Sequence, residues 1–526
     1  MNSIVLIFFL LNLQCASGKK NVLFIVADDL RPDIGVYRKN YQTQIYTPNL
    51  DSLASKSLLL KKAYVQQAFC SPSRTSFLTG RRPDTTHVYD LKRYFRDVGG
   101  NFTTIPQYFK ENGYRTIGMG KIFHPGIRAS SNDDPISWTE PYFHVEDIEQ
   151  YETKNVSWRS VPKSEYQNLS LPDSKLADHA IEVLRYIGPA SRLDDKPFFV
   201  AIGFNKPHLP FVFPEEFLTF YQNDSIHIPN NGFIPQGMPY IAWHKYWELM
   251  NYRDIKSLNV TGNPNTTIPI HVIQDLTRAY YTSVSYIDFE IGRILQELDD
   301  LGLSNNTIVS FIGDHGYQLG EHGEWCKHTN FEESIHAPMM IRIPGRTDNG
   351  VVSNRLKSFL YIAVSQENLL RLTDKGIVTE KLTEFVDLFP TLVEAAGLQQ
   401  MDICPEDSSK IALCREGTSL MPLIRNPSLS WKPAVFSQYP RYQNKTHIMG
   451  YTIRTDRFRY TEWPEFTGPP NYKPVWTNLF GTELYDHVTD PEENYSRAND
   501  PSYAQIRTEL SARLHSGWRN SQPSIS

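Results

Sequence analysis

The chain has 526 residues but only five cysteines, and no apolar run long enough to span a bilayer. The first shortage excludes a disulfide-stapled framework, so a packed core must hold the fold. The second leaves no candidate for a membrane-crossing helix, and the mature chain is expected to be soluble. A basic excess is also missing: the formal net charge is -5 and the isoelectric point is near 6.3. That argues against a nucleic-acid binder. It leaves room for a polyanionic substrate, which needs only a local basic pocket. No internal repeat or low-complexity tract is found, which sets aside solenoids and disordered linkers.

Hydrophobic residues make up 40% and aromatic residues 13%, ample for a large core. The apolar run Ile4 to Leu13 is followed by Ala16-Ser17-Gly18. It reads as a signal peptide over residues 1–18, cleaved after Gly18, and Cys15 leaves with it. Nine Asn-x-Ser/Thr sequons, at Asn101, Asn155, Asn168, Asn223, Asn259, Asn265, Asn305, Asn444 and Asn494, fit a glycoprotein of the secretory pathway, lysosomal or secreted. Of the four remaining cysteines, Cys404 and Cys414 bracket a polar loop and are expected to form a disulfide. Cys326 has no obvious partner, and Cys70 stands in a different context.

Short apolar runs alternate with helical patterns. Asn21 to Ala27, Leu58 to Val65, Arg115 to Met119, Pro197 to Gly203, Thr307 to Ile312 and Pro338 to Ile343 read as buried strands. Asp173 to Ile187 and Ile270 to Leu301 read as helices. In the second, Ile273, Leu276, Tyr280, Val284, Ile287, Ile291, Leu295 and Leu298 form one apolar stripe. The pattern predicts an α/β protein with a large, mixed, mostly parallel sheet flanked by helices over residues 19–430. Stretches 130–172 and 211–269 read as loop-rich insertions. Short strands at Ala434 to Tyr439, Gly450 to Arg454 and Phe458 to Glu462, with a last helix at Ser502 to Trp518, suggest an α+β subdomain over 431–526.

Polar residues gather where strands end, which is where open α/β sheets bind ligands. Asp28-Asp29 follow the first strand and Asp314-His315 a later one. Either pair alone reads more simply as a cap or a turn. Three carboxylates converging on one place would call for a divalent cation. Cys70 precedes a helix predicted over Pro72 to Leu78, where free N–H groups favour an anion. On the residues alone Cys70 is a buried structural cysteine, a thiolate nucleophile or part of an anion site.

The run Cys70-Ser71-Pro72-Ser73-Arg74, with Leu78-Thr79-Gly80-Arg81, resembles the Cys-x-Pro-x-Arg signature of the sulfatase family. Gly120-Lys121 with His124, Asp314-His315-Gly316 and Gly320 to Lys327 resemble its other signatures. Arg81 to Thr86, Ile105 to Gly113, Lys206-Pro207-His208, Gly320 to Trp325 and Ser437 to Arg441 look like the branch acting on 2-sulfated iduronate. The resemblance implies an alkaline-phosphatase-like fold. It also implies conversion of Cys70 to formylglycine by the formylglycine-generating enzyme, and one calcium ion held by Asp28, Asp29, residue 70, Asp314 and His315. His315 supplies nitrogen, so ligand type alone does not exclude magnesium.

The implied chemistry is attack on sulfur by one hydroxyl of a hydrated aldehyde. The second hydroxyl then expels sulfate. Arg74 would hold residue 70, Lys121 and Lys327 would bind sulfate oxygens, His124 would hydrogen-bond residue 70 and take a proton, and His208 would protonate the leaving oxygen. Glu321-His322 reads as loop packing. Tyr317 stands where the branch is expected to carry Trp. The substrate implied is a terminal iduronate 2-sulfate of heparan or dermatan sulfate fragments. The alternatives are another sulfated sugar, a related metal-dependent phosphatase or phosphonate hydrolase, and an inactive secreted binding protein.

Overall fold

The computed structural model describes residues 19–37, 45–145, 154–166, 170–222, 226–264, 266–348 and 376–524. The expected signal peptide and the sequons at Asn168, Asn223 and Asn265 lie outside these. Among the described sequons, Asn101, Asn155, Asn259, Asn305 and Asn444 are exposed and Asn494 is half-buried.

The strands, in chain order, are β1 (Asn21–Ala27), β2 (Leu58–Tyr64), β3 (Arg115–Gly120), β4 (Trp158–Val161), β5 (Phe198–Phe204), β6 (Phe211–Pro214), β7 (Thr307–Gly313), β8 (Gln318–Leu319), β9 (Trp325–Cys326), β10 (Met339–Arg342), β11 (Ile377–Glu384), β12 (Val435–Gln443), β13 (Thr446–Arg454), β14 (Phe458–Phe466) and β15 (Pro474–Asp486). Seven form one sheet in the order β11-β2-β10-β7-β1-β5-β3. Only β10 runs antiparallel to its neighbours; β1 is parallel to β5 and β7, β3 to β5, and β11 to β2. Strands β1, β5 and β7 are buried along their whole length, as their unbroken apolar sequences require.

One hydrophobic core lies on each face of this sheet. Helix Ile270–Asp300 packs its stripe into the first, where Leu276, Tyr280, Val284, Ile287, Ile291 and Leu298 are buried; helix Pro172–Leu193 lies beside it. The second core holds helix Cys70–Thr79, all ten of whose residues are buried. This helix begins at Cys70, two residues before the expected start.

Beyond residue 430, β12 to β15 make a four-stranded antiparallel sheet covered by helix Ala504–Ser516. Its first three strands extend the expected ones, while β15 was not anticipated. Cys404 and Cys414 are disulfide-bonded and Cys326 is free and buried, both as expected. No helix of the described residues is long and apolar enough to cross a membrane.

Candidate active site

The parallel strands deliver their carboxyl ends to one place. Asp28 and Asp29 leave β1, Asp314 and His315 leave β7, and Lys121 leaves β3. The close approach of β3 and β5 depends on glycine. A Cβ on Gly203 would clash with the backbone of Lys121, and one on Gly120 with the carbonyl of Gly203. The Lys121 N–H then donates to Gly203 O at 2.7 Å. Any larger residue at 203 would push Lys121 away from the strand ends.

Cys70 and Arg74 are four residues apart and therefore share one face of their helix. Arg74 Nη2 donates to Asp28 Oδ1 at 2.8 Å and its Nε to Asp314 Oδ2 at 2.9 Å. Its Nη1 also donates to the carbonyls of Lys121 and Ile122. This planar fork joins three strand ends at zero exposure. The Thr79-Gly80-Arg81 tail is structural. Gly80 ends the helix in the left-handed region at φ 65°, and Arg81 donates to Ser408 Oγ at 2.9 Å.

Asp28, Asp29, Cys70 and His315 each offer one ligand atom, and these atoms lie within 4.8 Å of one another. Asp314 borders them, its Oδ2 3.6 Å from His315 Nε2, while its Oδ1 accepts from Asp29 N–H at 2.9 Å. Cys70 Sγ, at the position where the resemblance implies formylglycine, lies 3.4 Å from His315 Nε2. A cation suits this donor set. Two ammonium groups already answer the buried carboxylates: Lys121 Nζ sits on Asp28, and Lys327 Nζ lies 2.8 Å from both oxygens of Asp29. Carboxylates that attract two lysines out of water can attract a divalent ion.

Electrostatics sorts the roles. Burial would raise the Asp28 pKa, but Lys121 and Arg74 outweigh it and hold it well below the usual carboxylate range. Burial first, and then Asp28, push the Cys70 thiol far up. Burial of this kind disfavours a thiolate at Cys70. Burial and Lys121 bring His124 down to about 3, so its ring is neutral. Burial and Lys327 depress His208, but Asp29 and Asp28 prevail, and its pKa is raised overall.

The predicted residues thus converge, with one difference in detail. His124 Nδ1 faces the carbonyl of Pro125 at 2.9 Å, and no bond from it to Cys70 occurs among the described contacts. Tyr317 lies under the site and not on its wall: it is fully buried and stacked on Tyr280, 5.2 Å between ring centroids. Tyr280 in turn donates to Asp29 O at 2.8 Å. Glu321 and His322 pack their loop, pairing with Arg31 at 2.8 Å and Glu492 O at 2.7 Å.

Sequence reasoning missed Glu248, His328 and Tyr439. Glu248 Oε1 lies 2.8 Å from Lys327 Nζ and 3.1 Å from His208 Nε2, and its Oε2 lies 3.0 Å from His328 Nε2. His328 Nδ1 meets Tyr439 Oη at 2.8 Å. Glu248 sits in an irregular loop with no periodicity to mark it. His328 directly follows Lys327, and Tyr439 lies inside the Ser437 to Arg441 run that resembles the family branch; those were the available signals.

Nucleophile position, buried carboxylates and flanking cations at the carboxyl edge of this sheet define a hydrolase of the alkaline-phosphatase-like fold. The sulfatase family profile matches residues 20–398, and the chain belongs to that family of sulfuric ester hydrolases. It is 39% identical to iduronate 2-sulfatase of Homo sapiens, over 91% of each chain. It is 38% identical to that of Mus musculus, over 93% of each. Among solved structures, BT1596, a 2-O GAG sulfatase, superposes with TM-score 0.63 at 19% identity, covering 96% of this chain and 92% of that one. The phosphonate monoester hydrolase of Agrobacterium radiobacter superposes with TM-score 0.67 at 20% identity, covering 95% and 96%. Fold alone therefore does not choose between sulfur and phosphorus; the signature residues and the closer relatives do.

Proposed function

We propose that this sulfatase removes the 2-sulfate from a terminal iduronate of heparan or dermatan sulfate fragments in lysosomes or outside the cell. The observation that carries the reading is the meeting of Asp28, Asp29, Cys70 and His315 within 4.8 Å, flanked by two lysines, in a chain 39% identical to an iduronate 2-sulfatase over nearly its whole length. We take residues 19–430 as the catalytic part and 431–526 as a subdomain that lends Tyr439 to the wall.

Asp28, Asp29, Asp314 and His315 would hold the ion, with an oxygen at position 70. Calcium is our choice because three of these four side chains are carboxylates. A divalent ion here supplies positive charge for the nucleophile and for sulfate oxygens. A formylglycine at position 70, made by the formylglycine-generating enzyme, supplies one hydroxyl for attack on sulfur and a second for release of sulfate.

The remaining work falls to this chain's own side chains. Arg74 cannot move, since its fork is engaged on every side, and it fixes Asp28 and Asp314 against the helix that carries residue 70. Lys121 and Lys327 are point charges on flexible stems, able to turn from Asp28 and Asp29 to sulfate oxygens. His208, with its raised pKa and Nδ1 donating to Leu209 O at 2.5 Å, is suited to give a proton to the sugar oxygen as the ester breaks. His124 is our candidate to accept one when sulfate departs, through Nε2, since its Nδ1 faces Pro125 O.

Peptide mass spectrometry across residue 70, beside assays on a 2-sulfated iduronate disaccharide, an aryl sulfate and an aryl phosphate, tests the reading. An aldehyde at position 70 and release of sulfate from the disaccharide are expected. An unmodified thiol in fully active protein, or faster release of phosphate than of sulfate, overturns it.

A further inference from the structure

Residues 240–252, two short 3-10 helices joined by irregular backbone, bring Glu248 to Lys327 and His208. Trp247, next in the chain to Glu248, is 66% exposed. Single exposed aromatics are ordinary on protein surfaces. This one is held by a buried base. The indole meets the imidazole of His244 edge-on, with centroids 5.3 Å apart, and His244 lies 4.6 Å from His328. His328 Nε2 is 3.0 Å from Glu248, whose other oxygen is 2.8 Å from Lys327 Nζ. An unbroken series of side chains thus runs from a cation suited to sulfate out to an indole in water, two ring contacts from the Glu248–His328 pair.

Trp247 is the exposed aromatic ring adjoining Glu248, so a saccharide that extends toward solvent from a sugar seated against Lys327 and Glu248 can meet it. Pyranose rings carry C–H faces that pack on aromatic rings, and an indole with one edge already fixed loses little freedom in doing so. We infer that Trp247 is a specificity-determining residue that stacks on the sugar attached to the sulfated one, so that a saccharide of two or more units is preferred to a single sulfated sugar. The inference rests on the substrate reading above.

The test compares wild-type, Trp247→Ala and Trp247→Phe enzymes on two substrates: the methyl glycoside of iduronate 2-sulfate and a disaccharide carrying iduronate 2-sulfate at its non-reducing end. Loss of one stacking contact should raise the disaccharide KM about five- to tenfold in Trp247→Ala. The kcat should stay within about twofold and the methyl glycoside KM should not move. Phe should restore most of the difference. An unchanged disaccharide KM, or an equal rise on both substrates, overturns the platform. Wild-type enzyme that releases sulfate from aryl sulfates but from neither iduronate compound overturns the substrate reading, and the platform with it.

Discussion

Two buried clusters of charge can be set side by side. The catalytic one joins Asp28, Asp29, Asp314, His315, Arg74, Lys121 and Lys327. The other lies where the C-terminal sheet meets the core and joins Glu332, Glu493, His487, Arg454 and Arg459. In the first, Asp28, Asp29, Cys70 and His315 bring four candidate ligand atoms within 4.8 Å of one another; in the second, Glu332, His487 and Glu493 bring three. In the second, arginines have already taken the carboxylates. Arg459 donates to both oxygens of Glu493 at 2.6 and 2.9 Å between the rings of Phe331 and Tyr485. Arg454 donates to Glu332 at 2.9 Å. The two-pronged grip of Arg459 on Glu493, with Arg454 Nε and Tyr64 Oη each donating to one oxygen of Glu332, leaves every carboxylate oxygen with a donor, and that cluster is a structural rivet. The catalytic cluster is built the same way only at its back, where Arg74 sits. Its front is answered by two lysines, whose single charges can be displaced. The choice of Lys over Arg separates a site from a rivet.

The sharpest way to break this contrast is at the nucleophile. Cys70→Ser offers one hydroxyl in place of two, and turnover should fall by about 10⁴-fold or more with the fold intact. Parental turnover by that variant would refute the two-hydroxyl mechanism. Next comes the rivet. Arg459→Met leaves Glu493 buried without its fork and should destabilise the protein by about 3–5 kcal/mol, read as a lowered denaturant midpoint. The kcat of folded protein should stay within about twofold, so a comparable fall in kcat would mean that the second cluster is not merely structural. Third, Lys327→Ala should lower kcat by about 10²–10³-fold. A chelator should lower the melting temperature of the wild type, and by more in this variant, where Asp29 has lost its internal cation. Indifference of both proteins to the chelator would count against an ion at the front.

The smallest expected effect concerns pH. Burial raises the pKa of Glu332, but Arg454 outweighs it and brings it to about 2, from an ordinary 4.5. A depressed carboxylate contributes stability that is present above its unfolded pKa and lost as pH falls through the folded one. The window is therefore between about 4.5 and 2, and the contribution is on the order of 3 kcal/mol. Glu332→Gln should lower stability near neutrality by about that amount, flatten the acid limb in that window and converge with the wild type below it. An acid limb identical to the wild type would show that the pair carries no pH-dependent stability.

Much of the catalytic cluster was legible because each part follows an apolar strand or opens a helix. Asp28-Asp29 and Asp314-His315 stand directly behind β1 and β7, and the Cys70 to Arg74 spacing is one helical turn. Strand β11 was not legible, since its residue types do not follow its burial: Val378 is exposed while Thr379, Thr383 and Glu384 are buried. Nor was β15, whose first half is exposed or half-buried and mixes Leu479 and Phe480 with Thr477 and Asn478 without alternation. Glu248, His328 and Tyr439 come from a loop, a segment after β9 and a strand of the C-terminal sheet. No spacing along the chain connects them.

Local order in the chain settled which residues form strands and helices, which cysteine stands at a helix head, and which acids wait at strand ends, because burial periodicity and signature spacing are properties of neighbours in sequence. Only the tertiary structure decided that Lys121 reaches Asp28, that Lys327 is shared between Asp29 and Glu248, and that Glu332 and Glu493 are claimed by arginines. Charge pairing inside a protein depends on distances through space, at low dielectric, between groups here 34 to 298 residues apart, and no pattern of neighbours encodes them.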